Sequence, residues 1–253
     1  MFQKPRRAVF LHIQKTAGTS IMMMARERYG LDGVMSHGDF ISLGREGCSR
    51  YPFVSGHFGY GFAEPLLKGR YAFTFLRDPV ERLISLYWFS RAQTGDNILY
   101  NAAKRFSFDE FLKLGRCLEG EASHPLRPQI WNNQTYQLAH GYGSNVGIDD
   151  CEPKTLLSTA KRNLRSFDYI GFTETLSSDA AKIFQSIGGS STVTTNKTNV
   201  TERRPALEHL SSCSVALLKE MTELDRELYA NAQAYQQSRP WRWWMPIRST
   251  NIV

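Results

Sequence analysis

The sequence has little cysteine and no long hydrophobic run. Its 253 residues include four cysteines, and no two of them have the C-x-x-C spacing typical of zinc sites. So few cysteines also exclude the dense disulfide framework of small secreted domains. No stretch approaches the roughly 18 apolar residues that a membrane-spanning helix needs, and no signal-peptide pattern precedes the first apolar segment. These absences predict a soluble, intracellular protein.

Acidic residues are fewer than basic ones. The chain has 24 Asp and Glu against 31 Lys and Arg, which gives a formal net charge of +7 at pH 7. Such an excess favours an anionic partner: a nucleotide, a sulfated or carboxylated glycan, a nucleic acid or a lipid head group. The charge alone does not choose among them.

The order of the apolar segments predicts an α/β fold. Segments typical of buried strands occupy residues 8–13, 53–56, 71–76 and 169–173. An amphipathic stretch over residues 19–28 follows the first of them and would end at Gly30. This alternation favours a central parallel sheet, with right-handed crossovers, flanked by helices.

The length fits a single domain. We expect one domain over residues 1–253, with a helical insertion at about residues 97–167 and a basic, aromatic tail over residues 239–253. The tail either covers apolar surface of its own domain or contacts a membrane interface, sugar rings or nucleic acid. A final helix is expected to carry, on one stripe, Leu217, Met221, Leu224 and Leu228.

The segment 14–20, with the sequence QKTAGTS, directly follows the first predicted strand. A buried strand that ends in a lysine, a glycine and three hydroxyl groups, and then opens a helix, gathers a cation, small donors and backbone N–H groups around one point. We interpret this segment as a phosphate cradle.

A second strand-to-helix turn lies about sixty residues further on, where segment 77–85 reads RDPVERLIS. Asp78 is expected at the N-cap, Pro79 at the first helical position and Glu81 at the third, as in a capping box. Arg77 and Ser85 can then reach the same side, where a guanidinium and a hydroxyl suit a second phosphate. The helical period places Val80, Leu83, Ile84 and Tyr87 on one face and Asp78, Glu81, Arg82 and Ser85 on the opposite one.

Together the two motifs resemble the 5′-phosphosulfate loop and the 3′-phosphate motif of sulfotransferases that use 3′-phosphoadenosine 5′-phosphosulfate (PAPS). Their sequences are most similar to those of the carbohydrate branch, which includes heparan sulfate 2-O-sulfotransferase. Their order, their spacing and their position at strand-to-helix turns make the joint signal strong. Weaker similarity continues through segments 55–57, 131–134, 169–174 and 224–229. The resemblance implies a P-loop-like sulfotransferase fold.

The resemblance also implies which residues bind the donor. Lys15 would be catalytic, because it would neutralise charge on the bridging oxygen as the sulfur–oxygen bond breaks. Arg77 and Ser85 would bind the 3′-phosphate. PAPS would be the donor and adenosine 3′,5′-bisphosphate the product, with no metal required. The 5′-phosphosulfate would be held by Lys15, Thr16, Gly18, Thr19 and Ser20, and a lid over segment 194–204 would contact the nucleotide through Lys197 and Thr198.

His57 is the candidate general base. It lies just past a predicted strand end, where sites gather in open α/β sheets, and an ordinary histidine pKa of about 6.5 suits this role. The related carbohydrate enzymes have a His-Gly-His run here, whereas this chain has Ser55, Gly56 and His57. Only the second histidine therefore carries over. Asp39 and Glu64 are reserve candidates, and His12 is interpreted as a packing or supporting residue.

These features predict a PAPS-dependent enzyme that transfers a sulfo group to a hydroxyl acceptor, most readily a polysaccharide or glycolipid. Nucleic acid is the less favoured partner, and a peripheral membrane contact through the tail stays open. A P-loop kinase using ATP is an alternative, although the Walker pattern is absent because Lys15 precedes Gly18. A catalytically silent glycan- or nucleic-acid-binding module on the same fold is another. The expected location is the cytoplasm of a bacterium, or the Golgi lumen if the chain is part of a longer eukaryotic protein.

Overall fold

A computed structural model describes residues 4–35, 37–116, 124–188 and 209–239. The predicted nucleotide lid with Lys197 and Thr198 lies outside these residues, as does the tail after Arg239. The domain boundaries stay predictions.

The centre of the fold is a parallel sheet, as the sequence predicts. Its four strands lie in the order β2-β1-β3-β4, and all three neighbouring pairs are parallel. Every residue of the four strands is buried, which is typical of a parallel sheet with both faces covered. The strands are β1 (Ala8–Leu11), β2 (Phe53–Gly56), β3 (Tyr71–Leu76) and β4 (Tyr169–Phe172).

Helices cover the sheet and extend beyond it. Those that follow β1, β2 and β3 are α1 (Gly18–Tyr29), α2 (Phe40–Ser49), α3 (Tyr60–Leu67) and α4 (Pro79–Ala92). The part of the chain between β3 and β4 continues with α5 (Ile98–Arg105), α6 (Phe108–Lys113), α7 (Arg127–Ile130), α8 (Asn133–Ala139) and α9 (Pro153–Leu164). After β4 come a short 3₁₀ turn (Thr173–Thr175), α10 (Leu176–Ser186), α11 (Ser212–Met221) and α12 (Glu223–Ser238).

The described residues form three apolar clusters. Alternate side chains of β1 point to opposite faces of the sheet, so that Val9 and Leu11 pack with α3, α8, α9 and α12, while Ala8 and Phe10 pack with α1 and α10. The third cluster is formed by α4, α5, α6 and α11 around Tyr87. The sheet therefore carries a helical layer on each face and a separate helical cluster beside them.

The prediction of a single final helix is wrong. The chain forms two helices that meet at Thr222, whose hydroxyl donates to the carbonyl of Leu218 at 2.7 Å. The predicted stripe is divided, because Leu217 and Met221 belong to the cluster around Tyr87 while Leu228 belongs to the sheet core.

Helix α4 is buried on both sides, which the predicted amphipathic pattern did not foresee. Arg82 and Ser85, placed opposite the apolar face, are only 1% and 6% exposed. Arg82 donates to the carbonyl of Gln129 at 2.9 Å, and burial lowers the pKa of its guanidinium to about 10 although the nearby Asp225 opposes this shift. The helix contacts the layer on the sheet as well as the cluster around Tyr87. The polar side chains of Arg82 and Ser85 are therefore buried and not exposed to solvent.

The helix starts of α8 and α12 stabilise each other. Asn132, with a φ of 43°, accepts hydrogen bonds from the N–H groups of Leu224 and Asp225 at 2.8 and 3.1 Å. Asp225 in turn accepts from the N–H groups of Gln134 and Thr135 at 3.2 and 2.7 Å. Each helix start thus receives its capping oxygen from the other, which fixes α8 beside the end of β3.

Candidate active site

The turn between β1 and α1 has a strained backbone. Lys15 and Ala17 adopt positive φ angles of 69° and 67°. This conformation costs free energy for residues other than glycine, and such positions are concentrated at functional sites. Turns of this kind direct successive N–H groups into a concavity that binds anions.

Helix α1 begins without a side-chain cap. Its N-cap residue, Ala17, has no polar side chain that could cap it, and its first turn contains no acidic residue. The first N–H groups of a helix have no intrahelical acceptor, and the helix dipole favours negative charge beside them. The turn therefore has the features of an anion-binding helix N-terminus.

Two of the predicted donor residues also have structural roles in this turn. The hydroxyl of Thr16 is buried and donates to the carbonyl of Ile13 at 2.7 Å, so it closes the turn from inside. Gly18 leaves room for the imidazole of His12, because a Cβ atom at position 18 would overlap the His12 Nε2 atom. Ser20 is buried, whereas Thr19 is exposed.

Lys15 extends from this turn toward α4. Its Nζ atom lies 3.4 Å from the ring centroid of Phe89, which is a close cation–π contact. Burial, and secondarily the positive charge of Arg77, lower the pKa of Lys15 to about 8. The ammonium group thus loses its proton more readily than an ordinary lysine does.

The turn between β3 and α4 forms one half of the predicted capping box, because Asp78 caps the helix while its own N–H donates to Glu174 instead of Glu81. The side chain of Asp78 accepts from the N–H of Glu81 at 2.9 Å, and Pro79 occupies the first helical position. The main chain is also held from outside, because Gln134 accepts from the Arg77 N–H at 3.1 Å and donates to its carbonyl at 3.0 Å. Glu174 accepts from the Asp78 N–H at 2.9 Å.

The two turns lie in contact. Because β1 and β3 are neighbouring parallel strands, their carboxyl ends meet at one edge of the sheet. The Nη1 atom of Arg77 donates to the carbonyl of Lys15 at 3.3 Å, and its Nη2 atom lies 3.5 Å from the Glu81 carboxylate. Ser85 follows two turns along the same helix. Arg77 of the second motif is therefore in direct contact with Lys15 of the first.

His57 lies at the same edge, one residue past β2. Its Nδ1 atom is 3.0 Å from the carbonyl of His12. A carbonyl can only accept, so Nδ1 carries the proton and Nε2 keeps its lone pair. Burial lowers the pKa of His57, and the hydrogen bond to His12 partly opposes this shift. The ring is thus a neutral imidazole with a free basic nitrogen at pH 7.

The reserve carboxylates are less well placed. Glu64 is exposed on α3, and Asp39 lies at the start of α2. Within the described ranges, no group of three or more His, Cys, Asp or Glu side chains could hold a metal ion. No helix in the same ranges is both long enough and apolar enough to cross a membrane.

A comparison of the sequence with models of known protein families identifies the family of the chain. The sequence model of a protein family, described as the sulfotransferase family, matches residues 1–232. The chain belongs to the sulfotransferase family. The match confirms the family inferred from the two motifs, and it covers both turns as well as His57. A search of curated proteins found no match.

Sequence reasoning missed several residues that support the site of this sulfotransferase. Gln134 and Glu174 hold the main chain at Arg77 and Asp78, as described above. Gln137 is fully buried and places its Nε2 atom 3.1 Å from the carbonyls of both His12 and His57. Gln134 and Glu174 end the segments of weaker similarity 131–134 and 169–174, which gave them no role, and no local pattern distinguishes Gln137 on α8.

His37 was also missed as part of the site. Its ring centroid lies 4.3 Å from that of His12 and 5.1 Å from that of His57, and the His12 and His57 centroids are 4.4 Å apart. Two members of this cluster could have been predicted to lie together. Leu11 pairs with Gly56 in neighbouring parallel strands, and the next residues along these strands are His12 and His57. His37 comes from the loop before α2, and no sequence spacing indicates its position.

Proposed function

We propose that this sulfotransferase uses PAPS to sulfate a hydroxyl group of a carbohydrate, either a polysaccharide or a glycolipid. The observation that carries the proposal is the contact between the two strand-to-helix turns, in which Arg77 donates to the carbonyl of Lys15. One turn has an uncapped helix start beside a lysine, and the other presents an arginine and a buried serine. A donor with a 5′-phosphosulfate and a 3′-phosphate has two anionic ends that require such a pair of sites.

The residues of the first turn fit the 5′ end of the donor. The positive φ angles at Lys15 and Ala17 and the uncapped start of α1 provide N–H donors, while Lys15 provides a cation. Gly18, Thr19 and Ser20 form the first turn of α1, and Thr16 contributes through its main chain, since its hydroxyl bonds Ile13. Lys15 would offset the charge that accumulates on the leaving phosphate.

The residues of the second turn fit the 3′ end. Because Asp78 already caps α4, an anion here is bound by side chains, and Arg77 and Ser85 are the donors on the appropriate face. Gln134 and Glu174 hydrogen-bond to the main chain of this turn from two directions. The main chain from which the Arg77 side chain extends is therefore fixed in position. Lys197 and Thr198 remain proposed lid residues.

PAPS supplies the sulfo group, and the protein supplies a base for the acceptor hydroxyl. His57 takes this proton on Nε2, since Nδ1 is committed to the carbonyl of His12. The same carbonyl stabilises the imidazolium that results. A base of this kind contributes a factor of about 10² to 10⁴ in rate. The excess of basic residues and the sequences of the two motifs favour a carbohydrate acceptor over a phenol or a peptide.

The test is incubation with radiolabelled PAPS and a panel of acceptors: heparosan, a glycolipid, p-nitrophenol and a tyrosyl peptide. We expect label in a carbohydrate without added metal. Transfer to phenol or peptide alone would overturn the acceptor class. Binding of adenosine 3′,5′-bisphosphate without transfer to any acceptor would favour a silent binding module, and Mg²⁺-dependent turnover of ATP would favour a kinase.

The base is tested by His57→Ala. We expect kcat to fall by about 10² to 10⁴ while affinity for adenosine 3′,5′-bisphosphate stays close to that of the wild type. His209→Ala is the matched control, because this histidine is exposed and lies outside the site. Full activity of His57→Ala would assign the base to another group.

A further inference from the structure

The mechanism proposed above uses His57 and leaves His37 without a task. The two rings are nearly parallel, with an interplanar angle of 27° and a centroid separation of 5.1 Å. Both are partly exposed, whereas His12 beneath them is only 6% exposed. An acceptor can therefore meet His37 and His57 together, and the question is which proton each ring presents to it.

Ser55 determines the protonation of His37. The hydroxyl of Ser55 is fully buried, and its one hydrogen-bond partner among the described residues is the Nδ1 atom of His37 at 3.3 Å. If Nδ1 carried the proton, the hydroxyl hydrogen of Ser55 would be buried without an acceptor, which is costly. Nδ1 of His37 therefore accepts, and its proton is on Nε2.

His12 is consistent with this assignment. Its Nδ1 atom also lies 3.3 Å from Nδ1 of His37, and two lone pairs would repel at this distance. His12 therefore carries its proton on Nδ1 and has its Nε2 lone pair beside Gly18 at the positive end of α1, where the helix dipole favours it. In this set of tautomers the one lone pair on Nδ1 of His37 is shared by two donors, the Ser55 hydroxyl and the His12 Nδ1–H.

The cluster consequently presents two different nitrogens to an acceptor. His57 offers a lone pair on Nε2, and His37 offers an N–H at the same ring position. Each ring is anchored through Nδ1 to groups at the strand ends, so both Nε2 atoms lie on the ring edges away from these anchors. An oxygen that makes hydrogen bonds of about 2.9 Å to two groups at a tetrahedral angle separates them by about 4.7 Å, and the centroids of the two rings that carry these nitrogens are 5.1 Å apart.

We propose that His37 is a second acceptor-binding residue, which donates its Nε2 hydrogen to the acceptor oxygen while His57 takes the hydroxyl proton. The proposal rests on the proposed function. The oxygen would use its hydrogen for His57, one lone pair for His37 and the other for attack on sulfur, so its orientation would be fixed before reaction. His37 keeps its own proton throughout.

The electrostatics of the cluster keep this arrangement at neutral pH. Burial is the main cause that lowers the pKa of His37 to about 4, and the neighbouring His57 and Arg26 act in the same direction. Burial, followed by His57, His37 and Lys15, also holds the pKa of His12 well below its ordinary value. His37 thus stays a neutral donor across the range in which His57 must be unprotonated.

The kinetic test compares His37→Ala with His37→Gln, using the panel acceptor that turns over fastest. We expect His37→Ala to raise the acceptor KM about tenfold, with little change in the affinity for adenosine 3′,5′-bisphosphate. His37→Gln keeps an N–H group at a similar reach and should recover most of the loss. His209→Gln is the control. An unchanged acceptor KM in His37→Ala, or an equal loss of nucleotide affinity, would overturn the proposal.

A second measurement does not depend on sulfo transfer. In protein labelled with ¹⁵N-histidine, long-range ¹H–¹⁵N spectra report which nitrogen of each ring carries the proton, and single His→Gln variants assign the rings. We expect the proton on Nε2 of His37 and on Nδ1 of His12 and His57. A proton on Nδ1 of His37 would refute the proposal even if PAPS is the donor. If no acceptor is sulfated, the proposed function fails and this spectrum still decides the tautomer.

Discussion

After β1 the chain enters α1 through a strained and uncapped turn, whereas after β3 it enters α4 through a turn capped by Asp78. At the first turn Lys15 and Ala17 hold positive φ angles, and the N-cap residue Ala17 offers no side-chain cap. At the second turn, the Glu81 N–H is satisfied within the motif, and Gln134 bonds the main chain of Arg77 on both sides. Both turns follow neighbouring parallel strands and both are expected to bind phosphate.

The difference shows two ways of building an anion site on the same edge of a sheet. The first turn keeps main-chain N–H groups for the ligand, at a cost in backbone strain. The second uses its N–H groups internally and leaves recognition to a guanidinium and a hydroxyl. We therefore expect changes in the first turn to act mainly on catalysis and changes in the second to act on binding or stability.

The largest effect is expected from Lys15→Ala. Removing the cation that offsets charge on the leaving phosphate should lower kcat by about 10² to 10³, while the far-ultraviolet circular dichroism stays that of the wild type. Arg77→Ala is the counterpart at the second turn and should mainly weaken nucleotide binding, by about 10- to 100-fold. Equal kcat in Lys15→Ala and wild type would remove the distinction between the turns.

Gly18→Ala tests whether the first turn depends on its packing against His12. A Cβ atom there would overlap the imidazole, so either the ring or the start of α1 must move. Overpacking of this kind costs about 1 to 3 kcal/mol of unfolding free energy, which urea denaturation would measure. Turnover should fall as well, because His12 supports His57 through its carbonyl. Gly69→Ala is a poor control because of its positive φ. Gly38→Ala has open space and should leave the unfolding free energy unchanged, but it controls stability alone because Gly38 is next to His37.

The pH profile of kcat/KM should be bell-shaped, and both of its limbs should lie at lower pH than those of an ordinary histidine and an ordinary lysine. His57 must be unprotonated, so activity is lost as the pH falls through its pKa, which burial places below 6.5. Lys15 must be protonated, so activity is lost as the pH rises through about 8. Lys15→Arg should move the alkaline limb upward, because a guanidinium keeps its proton there. An alkaline limb that does not respond to Lys15→Arg would assign it to another group.

The smallest effect on turnover is expected from Asp78→Ala. Loss of this side-chain cap should lower the unfolding free energy by about 1 kcal/mol, with little change in kcat, because Arg77 and Ser85 remain. Ser107→Ala, which removes the capping box of α6 away from the site, should be similarly destabilising. A loss of kcat in Asp78→Ala comparable with that in Lys15→Ala would contradict the assignment of a structural role to this cap.

The sequence predicts well what is determined by local pattern. The bounds of β2 and β3 match the expected strands, since each is a short apolar run after a polar or proline residue, and the cap at Asp78 follows from Asp78 itself and the proline after it. Strand β1 is two residues shorter than expected, because His12 and Ile13 already belong to the turn. The two motifs indicate both halves of the candidate donor site for the same reason.

What the sequence could not predict depends on packing between distant elements. Arg82 occupies a polar position of α4, yet it is buried because helices of two layers enclose α4. Gln134 and Gln137 come from α8, whose position is set by the exchange of capping groups between Asn132 and Asp225. His37 joins the cluster only because its loop lies over the end of β2. No periodic pattern or fixed spacing in the sequence indicates any of these contacts.

Isothermal titration of adenosine 3′,5′-bisphosphate into the protein tests the central claim most directly. If the two contacting turns bind the two phosphates of one nucleotide, the ligand should bind at a single site; Arg77→Ala should weaken it most, Lys15→Ala should weaken it less because that change acts mainly on kcat, and His209→Ala should not weaken it. Absence of binding, or binding that neither variant weakens, would contradict the account.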